Sequence, residues 1–376
     1  MKAARTMTLY YGGFRARPTG EQIDRILDEG LAQPAPPALR AWLLTLRGRA
    51  VEPWAADALP DPVPLRERVA AATAGEALAR EAGDPTLRLV ALRTLAGVRI
   101  QAGEDRLALE LADHLAEAGE GAAARDQILV AQQVGGLILD VGGDAERALA
   151  IFRSTHERAR DLTAHERMHA TYFVMAAQYR LARWQDMEPY ASEHMRTFDE
   201  ETVDINCPFT RSGPVLAAML FERLGQPDAV VAAVERIVPN WERPGLVEAW
   251  IAERALRRGE TLEAREVAGR VRSFGRGPSL DEPPYELGVL IETLGELATE
   301  PADAALLLAE VRERSTRVAW LDPAADRAEG RRAVAAGHTT EARAALERAL
   351  GGYRALRMPN EIARVEADLS ALRATA

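Results

Sequence analysis

The clearest structural pattern in the sequence is Asp326–Gly352, DRAEGRRAVAAGHTTEARAALERALGG. It predicts a helix, a short turn at Gly337, and a second helix. Glycine in such a turn ends the first helix because it adopts left-handed backbone angles at no steric cost. Small residues lie where the two helices have to approach closely: Gly330, Ala333, Ala342, Ala345 and Ala349. We predict that the rest of the chain repeats this helical hairpin.

A regular spacing of residues indicates that this hairpin is repeated along the chain. Each copy has a turn residue, followed five and nine residues later by small or apolar residues on one face of the second helix. The turn residues are Gly103, Gly143, Ala182, Gly225, Gly259, Thr299 and Gly337. Their spacing runs from 34 residues (Gly225 to Gly259) to 43 residues (Ala182 to Gly225). One hairpin cannot bury its apolar face alone, so successive copies have to stack.

The N-terminal part also has helical patterns, at about Ala38–Arg49 and Leu65–Glu81, and no β pattern competes anywhere. The sequence predicts four parts, namely an irregular N-terminal segment, an N-terminal helical hairpin with a Pro-rich connection, helical repeats, and a C-terminal capping helix. In that order they are residues 1–18, 19–64, 65–358 and 359–376. The expected architecture is an all-α superhelix of about eight helical hairpins.

A Gly turn with Ala five residues later resembles the tetratricopeptide repeat (TPR), here with a long period. That resemblance implies a right-handed α-α superhelix, a TPR-like solenoid. Two pieces, Glu76–Pro85 and Gly337–Leu372, resemble the helical C-terminal regions of large bacterial regulators. Those regulators join an AAA/STAND ATPase to such repeats and carry an adenylate-cyclase-like or a LuxR-type domain.

The resemblance spans roughly residues 20–372, but the catalytic and DNA-binding parts of the regulators have no counterpart. The sequence contains no Gly-x4-Gly-Lys-Ser/Thr loop, and its single lysine is Lys2. The resemblance therefore implies a regulatory sensor or scaffold half, either free-standing or as a fragment.

Composition excludes several classes of function. The 376 residues carry a formal net charge of -10 without a sustained basic run, so we expect no direct binding to nucleic acid. One cysteine, Cys207, rules out an intrachain disulfide and a multi-cysteine metal site. No apolar run approaches the ~20 residues needed to span a bilayer, and the start lacks a signal-peptide pattern. We therefore expect a cytoplasmic protein without a membrane contact.

If the repeats form a solenoid, their first helices line a concave groove. Arg and Tyr are residues that anchor partners at interfaces. The predicted groove residues are Arg93, Gln133, His169, Tyr172, Tyr179, Arg180, Arg223, Glu253, Arg257, Arg327 and Arg331. We predict a non-catalytic recognition or scaffold protein that uses no cofactor and binds a protein segment or a small effector there. Changing Tyr172, Tyr179 and Arg180 to Ala is expected to weaken binding and to leave the fold intact.

A zinc metallohydrolase is the alternative. His165–His169, HERMH, matches H-E-x-x-H, in which two His side chains bind zinc and the Glu polarises a water molecule. Glu188 lies 19 residues after His169. In this spacing the pattern resembles one class of zinc aminopeptidases, which have their third zinc ligand at that distance. Against this, Arg167 places a cation inside the motif, and the helical pattern already explains the segment. A third hypothesis is a homo-oligomeric structural scaffold.

Overall fold

The computed structural model describes residues 20–48, 63–200, 208–236, 255, 266, 308–309, 312 and 320–374. Every regular element in these ranges is helical, and none of these residues lies in a β-strand, so the all-α prediction is confirmed. Some predictions concern residues outside the described ones: the segment 1–18, Cys207, Glu253, Arg257, and the turns at Gly259 and Thr299. None of the described helices combines the length and the apolar character that crossing a bilayer requires.

The chain divides into two compact units, Met1–Leu137 and Ile138–Ala376. The first unit contains seven described helices that pack mainly on their sequence neighbours. They are α1 (Gly20–Ala32), α2 (Pro37–Gly48), α3 (Leu65–Ala82), α4 (Pro85–Gln101), α5 (Asp105–Leu109), α6 (Ala112–Gly119) and α7 (Ala124–Gly136).

Helices α2 and α3 of the first unit approach each other closely because small residues line their contact. A Cβ atom at Gly48 would lie 2.5 Å from the Cβ of Ala72, so only glycine leaves room for the neighbouring backbone. A buried ion pair lies nearby, where Arg68 donates to Asp24 over 3.2 Å and to the carbonyl of Arg47 over 2.8 Å. These contacts fix α3 against the N-terminal hairpin.

The second unit begins in a π-helical turn, Leu137–Val141, which directly follows α7. Its described helices are α8 (Ala145–Ala159), α9 (Ala164–Arg180), α10 (Trp184–Glu200), α11 (Pro208–Arg223), α12 (Pro227–Val234), α13 (Leu321–Ala335), α14 (Thr339–Ala355) and α15 (Pro359–Ala374). Helix α9 is central, because it packs on α8, α10, α11 and the C-terminal helix α15.

The predicted turn residues share one backbone conformation. Each described one has a positive φ angle: Gly103 (71°), Gly143 (72°), Ala182 (52°), Gly225 (66°) and Gly337 (78°). Left-handed backbone is costly for residues with a Cβ, which explains why glycine holds this place in four of the five turns. The hairpin signature therefore reports a real and repeated turn geometry.

The opening stretch forms the predicted hairpin, with α13 and α14 joined at Gly337. The small residue seven positions before the turn faces the residue nine positions after it. A Cβ atom at Gly330 would lie 2.7 Å from Cγ of Leu346. Leu346 and Ala342 are fully buried in this contact. Close helix packing is thus the physical reason for the spacing of small residues.

Candidate functional site

Helix α9 carries four of the predicted groove residues, and its start is fixed by a capping box. The hydroxyl of Thr163 accepts a hydrogen bond from the backbone N–H of Glu166, and the Glu166 carboxylate accepts one from the N–H of Thr163 over 3.1 Å. The Thr163 hydroxyl also donates to this carboxylate over 2.5 Å. Two backbone groups at the helix start are satisfied in this way.

The capping box gives HERMH a structural role. Glu166, the base of the alternative hydrolase, is buried and has its carboxylate on Thr163. The rings of His165 and His169 lie with centroids 4.4 Å apart. Burial, together with the neighbouring His165 and His194, lowers the pKa of His169 to about 3. The cluster therefore favours neutral imidazole.

The residues of the alternative zinc site do not assemble. Among the described residues, no group of three His, Cys, Asp or Glu side chains is arranged to hold a metal ion, and His165, His169 and Glu188 are included in that finding. Glu188 instead accepts a hydrogen bond from the side-chain amide of Gln226 over 2.8 Å. The hydrolase alternative receives no support from this geometry.

Three predicted groove residues on α9 are not on an open surface. Tyr172 is 5% exposed, Tyr179 3% and Arg180 3%. Sequence reasoning placed them in a groove because it counted helical faces without the C-terminal helices that also pack here. Since all three are buried, their joint replacement by Ala is expected to destabilise the fold, which corrects the earlier expectation.

The other predicted groove residues have separate surroundings. In the first unit, Arg93 and Gln133 lie 40 residues apart and bond to each other, with Arg93 Nε donating to Gln133 Oε1 over 3.3 Å. In the second unit, Arg327 is buried and donates to Asp368 over 2.7 Å, which ties α13 to α15. Arg331 is partly buried and Arg223 is exposed. Among the described members of the predicted set in the second unit, some are therefore buried and others exposed.

A buried polar cluster forms where α9 ends. Arg180 donates to the backbone carbonyl of Leu139 over 2.6 Å and to the carboxylate of Asp140 over 2.7 Å. The indole N–H of Trp320 donates to the backbone carbonyl of Asp140 over 2.9 Å, and the Arg180 guanidinium lies 5.6 Å from the centre of the indole ring. We call Leu139, Asp140, Arg180 and Trp320 the Asp140 cluster.

Burial and the neighbouring positive charge act in opposite directions on the pKa of the Asp140 carboxyl. Loss of solvent raises the pKa of the Asp140 carboxyl, and the adjacent Arg180 guanidinium opposes that rise by charge and hydrogen bonding. The Asp140 side chain retains 21% exposure, whereas Arg180 retains 3%. The Asp140 carboxylate and the Leu139 carbonyl therefore compensate the buried charge of Arg180.

A second cluster reaches the surface at the turn after α9. The Arg223 guanidinium lies 4.6 Å from the ring centre of Trp184 and 5.6 Å from that of Tyr179. The two aromatic rings meet edge to face, with centroids 5.1 Å apart. Trp184 is partly buried and Arg223 is exposed, so this stack is accessible from outside. We call these three residues the Arg223 stack.

Sequence reasoning identified part of this site. It singled out Tyr179, Arg180 and Arg223, but it did not identify Trp184, Trp320 or Asp140. One available signal was Leu137–Gly143, LILDVGG, where an apolar run stops at two glycines. Helix ends of this kind leave backbone carbonyls without helical partners.

No protein-family model matches the chain, and the search of curated proteins gives no match.

Proposed function

We propose that the chain is a non-catalytic, TPR-like recognition or scaffold protein that binds a protein segment through the Arg223 stack. The proposal includes a right-handed superhelix of about eight hairpins, which the repeated left-handed turns and neighbour-to-neighbour helix packing support. The regulatory role, the bacterial origin and the cytoplasmic location are part of the same proposal. They rest on the resemblance to helical regions of AAA/STAND regulators.

The observation that carries this proposal is the exposed guanidinium of Arg223 over Trp184. A guanidinium stacked on an indole is held in one orientation, which reduces the conformational entropy lost when a ligand binds. The guanidinium of an arginine pairs with a carboxylate through two parallel hydrogen bonds.

The partner class follows from this chemistry. An extended segment with an Asp or Glu side chain can pair with Arg223, and an apolar neighbour can cover the exposed part of Trp184. Trp, Tyr and Arg are the residues most enriched at energetic hot spots of interfaces. The net charge of -10 does not oppose such a partner locally, because Arg223 is the group it meets.

A random peptide display against the full chain tests the proposal. We expect enrichment of peptides with an acidic residue next to an apolar one, and Arg223→Ala should weaken their binding about tenfold or more. Arg223→Lys should also weaken it, because an ammonium cannot form the planar bidentate pair.

Arg106→Ala is the matched control, since Arg106 is an exposed helical arginine near Glu110 in the first unit. It should leave peptide binding unchanged. Enriched peptides that bind equally well to wild type and to Arg223→Ala would contradict the proposed site.

A further inference from the structure

The Asp140 cluster has the features of a receptor for a tryptophan side chain. The last carbonyls of a helix lack partners within that helix, and they carry partial negative charge. Here the carbonyl of Asp140 is such an acceptor, at the end of the π-helical turn, and it receives the indole N–H over 2.9 Å. The Asp140 carbonyl is thus placed to accept a hydrogen bond from the indole N–H of Trp320, the only polar group of that side chain.

Arg180 supplies the second feature of the receptor. Its guanidinium lies 5.6 Å from the indole ring centre, a distance at which a cation is attracted to the ring face. The guanidinium is held by the Leu139 carbonyl and by the Asp140 carboxylate. These contacts involve residues 139–180 alone, so the receptor side is complete without Trp320.

Trp320 reaches this place from a distant part of the chain. It is 180 residues from Asp140 and immediately precedes α13, the first helix of the C-terminal α13–α15 group. That group has its own internal contacts, between α13 and α14 and between α14 and α15. Trp320, 2% exposed, is the buried side chain through which this group contacts the π-helical turn.

We propose that the Asp140 cluster is an exchangeable tryptophan-binding site, occupied by the chain's own Trp320 and open to competition from a tryptophan in a partner segment. This deepens the recognition function proposed above, on which it rests, by naming a second feature of the partner. A partner tryptophan would make the same hydrogen bond to Asp140 and the same ring contact with Arg180. The cost of dehydrating the Arg180–Asp140 pair reduces the net gain from closing the site, which keeps the exchange thermodynamically accessible.

Titration calorimetry on the full chain tests this inference with a synthetic peptide of residues 316–324, TRVAWLDPA. The Trp320→Ala protein should bind the peptide saturably. Wild type should bind it about tenfold or more weakly, because the resident side chain has to leave first. The same peptide with leucine in place of tryptophan should lose about tenfold or more in affinity for the variant.

Three controls separate specific recognition from the filling of a hole. A peptide with 1-methyltryptophan lacks the N–H donor and should bind about tenfold more weakly than the native peptide. Combining Arg180→Met with Trp320→Ala should abolish binding. Combining Arg106→Ala, at an exposed arginine of the first unit, with Trp320→Ala should leave it unchanged. The tryptophan and 1-methyltryptophan peptides carry the same Leu321 and Asp322, so the difference between them can succeed or fail independently of the Arg223 stack.

Specific outcomes would overturn the inference. Equal affinity for the tryptophan and 1-methyltryptophan peptides would show simple cavity filling. Absence of saturable binding to wild type, at peptide concentrations about a hundredfold above the Kd for the variant, would show that Trp320 is a fixed core residue. If Trp320→Ala does not fold, Trp320→Phe keeps a ring without the N–H, and its affinity should exceed that of wild type.

Discussion

Gly213 lies directly against the imidazole of His194, so closely that a Cβ atom at residue 213 would fall 1.8 Å from Nε2. His194 is fully buried, and its Nδ1 lies 2.8 Å from the hydroxyl of Thr171 on α9. The glycine on α11 therefore makes room for a histidine on α10 that is held by α9. Three helices of the second unit meet at this contact.

Gly213→Ala should destabilise the second unit. The added methyl has to displace a buried ring that is hydrogen-bonded to Thr171, and such overpacking costs about 2 kcal/mol. Urea unfolding followed by tryptophan fluorescence measures the change. Gly351→Ala is the matched control, because Gly351 is an exposed helical glycine on α14 with no atom within 4 Å of an added Cβ. It should stabilise the protein slightly, and an equal loss in both variants would refute the crowding argument.

Ala182→Gly should stabilise the chain. Ala182 has a φ of 52°, whereas glycine holds the equivalent position in the other described repeat turns. Removing the Cβ relieves a steric cost of about 1 kcal/mol. Gly337→Ala is the reciprocal change at φ 78°, in open space, and should cost a similar amount. Thermal melts of both variants check the pair, and changes of the same sign would contradict it.

Thr163→Ala should destabilise α9 by about 1 kcal/mol, because the capping hydrogen bonds at its start are lost. Glu166→Gln should cost about half of that or less, since glutamine also completes a capping box. Helical circular dichroism during urea unfolding measures both. A large loss for Glu166→Gln with none for Thr163→Ala would show that Glu166 matters for a reason other than capping.

Stability should fall as the pH decreases from about 6.5 toward 3. The pKa of His169 is lowered to about 3 by burial and by its neighbours His165 and His194. The unfolded chain then binds a proton that the folded chain excludes, so acidification favours unfolding. His169 is only partly buried, so solvent screening reduces the change in unfolding free energy. We expect a loss on the order of 2 kcal/mol between pH 7 and pH 4.

The His169 prediction has a direct control. His169→Gln should flatten the pH dependence of the unfolding free energy in that range, whereas His338→Gln, in the exposed turn before α14, should leave its slope unchanged. A steep acid loss that persists in His169→Gln would assign the effect to other groups.

Arg180→Met should destabilise the second unit by about 3 kcal/mol, because the partly buried Asp140 carboxylate loses its charge partner. Arg223→Met, at an exposed arginine over the ring of Tyr179, should cost less than about 1 kcal/mol. Unfolding free energies from urea titrations compare them. Equal small losses would show that the Arg180–Asp140 pair contributes no net stability.

Much of the fold was predictable because its causes are local. Glycine at the turn, small residues before it and apolar residues five and nine positions after it are all properties of a single hairpin. The helix predicted at Ala38–Arg49 is found at Pro37–Gly48, and the one predicted at Leu65–Glu81 at Leu65–Ala82. The left-handed turn at Ala182 was also identified, although no glycine marks it.

The site was harder to predict because its contacts join distant segments. Helical periodicity places Arg180 on a face of α9, but it does not show which other helices cover that face. The partners of Arg180 are 40 and 41 residues away, and Trp320 is 180 residues from Asp140. No local pattern specifies such pairs. The result is that predicted groove residues such as Tyr172 are buried in the structure.

The 180-residue separation between Asp140 and Trp320 also determines the order of events during synthesis. A ribosome completes α8–α12 before Trp320 and the helices that follow it have been translated. The emerging chain thus presents the Arg180–Asp140 pair before Trp320 is available to contact it. Contacts of such long sequence separation form late, after local hairpins. We therefore expect docking of the C-terminal helices to be a late step in the folding of the second unit.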